Sequence, residues 1–138
     1  MTEFLVMLSV LVRTHLCNNG NISYEIDELD PSDANLFENA NYCSDYSLLR
    51  QRSLQEILSR QLWRFSMING GDQIDWEDKE SEKFYIRYET DDLTFTTNDN
   101  CYVKNISCEY FISEEIAERA IEEIVKPFIE KHPDFKYV

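Results

Sequence analysis

Imidazoles and thiols are the side chains best suited to hold a metal or attack a substrate near neutral pH. This chain has two histidines and four cysteines. His15 and Cys17 stand one residue apart, while Cys101 and Cys108 lie far downstream. A zinc site built from these four would have to be assembled by the fold, because no pair has the C-x-x-C spacing of a zinc knuckle or redox motif. A histidine near the end of an element and a packed cysteine account for the same residues without a metal. Four cysteines also suit a disulfide pair, but disulfides imply an oxidising compartment. No G-x-S-x-G, Walker or G-x-G-x-x-G motif is present. The sequence is therefore expected to carry no catalytic residue, metal site or cofactor.

Carboxylates are the other abundant chemistry. The 138 residues hold 27 Asp and Glu against 13 Lys and Arg, a net charge of −14. The charge is concentrated. Residues 18–46 sum to −7 and residues 70–99 to −7, with +3 between them over 47–69 and −3 over 100–138. The run Asp72, Asp75, Glu77, Asp78, Glu80 and Glu82 offers hard oxygen ligands suited to calcium. It lacks the central glycine and terminal glutamate at EF-hand spacing. The better expectation is an acidic surface for a basic partner, formed by this run with Glu25, Asp27, Glu28, Asp30 and Asp33, and with Asp91 and Asp92. Such a field disfavours direct contact with DNA or RNA phosphates and with an anionic membrane. Arg50, Arg52, Arg60 and Arg64, near Trp63 and Phe65, have the look of a nucleic-acid helix. In so negative a chain they are expected to pair with the acidic segments instead.

The elements that must position these groups follow from periodicity. The length suits one domain over 1–138, with 1–46 as an apolar element plus acidic segment and 47–138 as helix, sheet and helix. An apolar fraction of 43% is enough for a packed core and excludes a disordered acidic tail. The apolar run Phe4 to Val12 has only Glu3 before it, where a signal peptide needs positive charge, and it is too short to span a bilayer. Residues 2–16 are thus expected to be a buried helix or strand, in a reducing cytoplasm. Ile22, Tyr24 and Ile26 alternate as a short strand after the turn Asn18-Asn19-Gly20, and Asp33 is placed to cap a short helix through Leu36 and Phe37.

Leu54, Ile57, Leu58, Leu62 and Phe65 predict a helix over 47–69, capped by Ser47 and stopped by Gly70-Gly71. Phe84, Ile86 and Tyr88 alternate inward, with Tyr85 and Arg87 outward. A turn at Asp91-Asp92, a strand through Leu93, Phe95 and Thr97, a turn at Asn98-Asp99-Asn100 and strands over 101–106 and 109–111 complete an antiparallel meander. Ser113 caps a last helix with Ile116, Ala120, Ile121 and Ile124 on its core stripe. Pro127 should kink or end it, and His132-Pro133 should stop it. Segregated helices and hairpins make the expected class α+β: N-terminal helices, an antiparallel β-meander and a C-terminal helix.

The segments Gly70-Gly71-Asp72, Asp75-Trp76, Tyr85-Ile86-Arg87-Tyr88, Tyr110-Phe111, Ser113 to Ala117, Ala120-Ile121-Glu122 and His132 to Phe135 resemble small proteins encoded by bacteriophages and prophages of Gram-positive bacteria. The likeness covers residues 55–138 and implies an accessory protein working in the cytoplasm of the bacterial host, with no activity attached. Small acidic phage proteins of α+β class look like inhibitors of host defence, among them type II anti-CRISPR proteins. An RNA-guided nuclease holds its heteroduplex in a positively charged channel, and a folded row of carboxylates can imitate the phosphates. The expected function is therefore an anti-CRISPR inhibitor that mimics DNA and blocks target binding. The alternatives are an anti-restriction decoy, a regulator of another basic host protein and, least favoured, a metal-dependent enzyme.

Overall fold

The apolar spacing from Leu54 to Phe65 winds as α1 (Tyr46–Ile68). It is part of a computed structural model that describes residues 13–17, 20–25 and 45–136. The cap is Asp45 rather than Ser47: its carboxylate accepts the Leu48 N–H at 3.2 Å. A carboxylate at this position also complements the positive end of the helix dipole. The chain divides into two compact units, residues 1–56 and 57–138, with the boundary inside α1.

In the first unit, β1 (Arg13–Leu16) pairs antiparallel with β2 (Ile22–Glu25), with Leu16 opposite Ile22 and Arg13 opposite Glu25. The open choice between helix and strand for the N-terminal segment therefore resolves as strand over 13–16. Gly20 closes the connection at φ 84°, in the left-handed region that glycine enters without strain, and its N–H reaches the Cys17 carbonyl at 2.9 Å. Its own carbonyl accepts from the buried Ser53 hydroxyl of α1 at 2.7 Å, tying helix to hairpin. Leu49 and Leu54 are buried on this part of the helix. The run Phe4 to Val12, Asn18 and Asn19, Ile26 and the helix expected after Asp33 lie outside the described residues.

In the second unit, β3 (Lys83–Glu89), β4 (Thr94–Asn100) and β5 (Tyr110–Phe111) form an antiparallel sheet in the order β4-β3-β5. The long strand β3 is central, so the order is not the consecutive one of a meander. The turn expected at Asn98-Asp99-Asn100 is instead the end of β4, because the β3 ladder carries pairing on to Lys83 opposite Asn100. No strand forms over 101–106. This segment wraps the Tyr110 phenol, which accepts the Asn105 N–H at 2.9 Å and donates to the Val103 carbonyl at 3.3 Å. Hydrogen bonding to this phenol, five and seven residues along the chain, overrides a weak strand pattern.

Phe84 and Ile86 face the core. They pack with Leu62, Phe65 and Ile116 around buried Phe111, Ala117 and Ala120. Ser113 caps α2 (Glu114–Ala120) by accepting the Ile116 N–H, with Glu114 and Glu115 in the first turn, as the sequence predicts. The helical path does not end at Pro127. A π-helical turn (Ile121–Val125) leads into α3 (Lys126–Lys131), with Pro127 in its first turn. The Lys126 N–H bonds to the Ile121 carbonyl, five residues back. This widened turn takes up the missing proline donor and relieves the ring's clash with the preceding turn. Ile121, Val125 and Phe128 stay buried, and the helix stops at His132. The fold is α+β. Among the described residues no helix is long and apolar enough to cross a membrane.

Candidate functional site

The acidic loop between α1 and β3 is shaped at both ends by residues that fix its backbone. Gly70, at φ 89°, turns the chain out of α1. Gly71 is buried where a Cβ would lie 2.3 Å from the Ser66 hydroxyl and 2.7 Å from the Ser66 carbonyl. A single 3-10 turn (Gly71–Gln73) follows. Two Asx turns then shape the middle: Asp75 accepts the Glu77 N–H and Asp78 accepts the Glu80 N–H, both at 2.9 Å.

Trp76 and Lys83 clasp this loop to the sheet. The Trp76 indole meets Tyr110 edge to face, centroids 4.7 Å apart. Lys83 is only 1% exposed. Its ammonium donates to the carbonyls of Asp78 and, at 3.3 Å, Cys101, and sits 5.7 Å from the Trp76 ring centroid. A buried ammonium is costly unless its hydrogen bonds are met, and two carbonyls and an aromatic face meet them here. Lys104 reaches over the same ring at 5.1 Å. Tyr85, expected to face outward, is half-buried. It lies 5.7 Å from Tyr110 and accepts from Asn98 at 3.0 Å, so this sheet face is covered too.

With the backbone held inward, Asp72, Asp75, Glu77, Asp78, Glu80 and Glu82 are all exposed. None of these six carboxylates makes an ion pair among the described residues. Bases elsewhere find partners two or four residues away in sequence: Arg52 with Glu56 at 2.8 Å, Arg87 with Glu89 at 2.5 Å, Arg119 with Glu123 at 3.0 Å, and Lys126 with Glu122. The expected pairing of the helix arginines with the acidic segments is therefore corrected in part. Arg52 pairs inside α1, and Arg60 and Arg64 are exposed without an ion pair among the described residues. Pairing at i,i+4 orders two side chains on one helix and costs less entropy than closing a loop.

Asp91 and Asp92 are exposed in the turn after β3. The seven-residue strand sets them about 20 Å from the end of the 72–82 run. They form a second patch rather than an extension of the first. Glu25 closes β2 in the other unit. Asp27, Glu28, Asp30 and Asp33 lie outside the described residues.

Beside the acidic loop lies a cavity of about 170 Å³, lined by residues that include Trp63, Met67, Trp76, Cys108, Glu109 and Tyr110. Burial pushes the Cys108 thiol up to about 11, and neighbouring Glu109 adds to the shift, so this sulfur is neutral and a poor nucleophile near pH 7. The Glu109 carboxylate accepts the Ser59 hydroxyl at 2.5 Å. Among the described residues no three His, Cys, Asp or Glu side chains are grouped to hold a metal, and Cys17, Cys101 and Cys108 are free thiols. Sequence reasoning missed Lys83 and the cavity. A lysine opening an alternating strand gives no sign of burial, and the cavity's walls come from separate segments. No protein-family model, no curated protein and no solved structure matches the chain.

Proposed function

We propose that this protein is an inhibitor that binds a basic partner through the 72–82 loop, and that the partner is a CRISPR effector nuclease whose DNA-binding channel the loop enters. The carrying observation is the set of six exposed carboxylates, none in an ion pair among the described residues, on a backbone clasped by Trp76 and Lys83. Six acids against Lys79 alone make −5 over residues 72–82. Unpaired charge on an ordered backbone is what a phosphate mimic requires: the ordering entropy is already spent before binding, and steering speeds the encounter. The protein acts without catalysis or cofactor, in the cytoplasm of a bacterial host infected by its phage.

The test is capture of a purified RNA-guided nuclease, followed by target-DNA loading and cleavage. Inhibition is expected to fall steeply from about 50 to about 300 mM salt. Reversing charge at Asp75, Glu77, Asp78 and Glu80 together should abolish it. Undiminished inhibition by the quadruple variant would remove the loop from the contact. A restriction endonuclease assayed in parallel separates the anti-restriction alternative: inhibition of that enzyme alone would replace the CRISPR assignment while keeping the acidic decoy.

A further inference from the structure

We propose that the cavity walled by Trp63, Trp76 and Tyr110 is an arginine-recognition site, which takes the guanidinium of one arginine presented by a protein partner. This deepens the reading above and rests on it for the partner, though not for the chemistry of the ligand. At about 170 Å³ the cavity is well below the range of drug-sized ligand or cofactor pockets and is matched to a single side chain. Two indoles and a phenol line it together with Met67, Ile74 and Lys104, and Trp63 is 58% exposed, so one wall is open to an incoming group.

Aromatic faces of this kind attract cations, tryptophan most strongly and arginine most often. The protein already uses one of them in this way, since its own Lys104 sits over Trp76 at 5.1 Å. The only carboxylate lining the cavity is Glu109. One of its oxygens holds Ser59, and the other has no donor among the described residues. A planar guanidinium can lie flat against an indole and donate in its own plane to that oxygen, whereas an ammonium offers a compact point charge without a flat face to stack. The rim points the same way. The lining residues Gly71, Ile74 and Trp76 are each followed in sequence by an exposed carboxylate, Asp72, Asp75 and Glu77.

The test uses the full chain with N-acetylarginine methylamide as probe and the neutral citrulline analogue as control, read by NMR at the indole N–H signals. The chain has two tryptophans, so a Trp63→Phe variant assigns both. Arginine should shift both signals saturably in the millimolar range, with citrulline about ten-fold weaker. Lys104→Ala, which frees the Trp76 face at an exposed position, should tighten arginine binding about three-fold. Glu109→Gln, which keeps an acceptor for Ser59, should weaken it about ten-fold. Equal response to arginine and citrulline, no response at all, or unchanged affinity in Lys104→Ala overturns the proposal. The two readings fail separately. Arginine binding without capture of a nuclease leaves this site standing and removes the nuclease, whereas nuclease inhibition by a chain indifferent to arginine does the reverse.

Discussion

Lys83 and Cys108 are two ionisable side chains of one unit that burial takes out of water. Lys83 keeps its hydrogen bonds through burial, with the Asp78 and Cys101 carbonyls as acceptors. For Cys108, burial raises the thiol to about 11 from the ordinary 9.0, Glu109 pushes the same way, and a hydrogen bond involving Tyr110 opposes them only in part. The sign of the consequence is fixed. In the unfolded chain the thiol ionises near 9.0, while in the folded chain it keeps its proton to about 11. The stability tied to this group is therefore intact below about pH 9 and is lost as pH rises through the folded value. Denaturant titrations at pH 8 and pH 10.5 should show wild type losing more stability over that interval than Cys108→Ala. Equal losses would mean that the thiol titrates alike in both states.

The connection from α1 into the acidic loop depends on two adjacent glycines with different reasons to be glycine. Gly70 needs its positive φ, but a Cβ there would meet the Ile112 side chain at an ordinary 3.4 Å. Gly70→Ala should cost about 1 kcal/mol from backbone strain alone. Gly71 sits where a Cβ would collide with Ser66, a backbone atom among the contacts. Gly71→Ala must move α1 or the loop and should cost about 2–3 kcal/mol. Thermal melts of the two variants check the order; a Gly71→Ala protein as stable as Gly70→Ala would show that the approach to Ser66 gives way freely. The pair was legible in the sequence as a helix stop, and α1, the Ser113 cap, the inward Phe84 and Ile86 of β3 and the stop at His132 were legible too, because each rests on local periodicity or on one cap. The π turn before Pro127 was not legible, nor the ending of β4 at Asn100, nor the wrapping of 101–106 round Tyr110. Those depend on which strand pairs and which hydroxyl is met, and sequence spacing does not encode that.

Across the whole chain, the −14 net charge opposes folding, and under the proposed function it would favour binding. The sequence located the acidic blocks but not their presentation. Asp91 and Asp92 stand a strand's length from the 72–82 run, and the run itself is held outward by Trp76 and Lys83, neither of which reads as a clasp from its neighbours. Within the folded protein, carboxylates without ion pairs repel one another, and the repulsion opposes compaction. Salt screens that repulsion. Raising ionic strength from about 50 to about 500 mM should therefore raise the melting temperature by about 3 °C, equivalent to roughly 0.5–1 kcal/mol for a chain of this size. Over the same range, attraction between the acidic loop and the proposed basic partner should be screened as well, so that complex should weaken while the protein itself becomes more stable. Calorimetry of the free protein alongside binding isotherms separates the two. If melting temperature and affinity fell together, loss of binding would report unfolding, and the acidic surface would owe its salt response to a fragile fold rather than to electrostatic contact. Opposite slopes are the result expected of a surface whose charges are unpaired in the free protein and matched only in the complex.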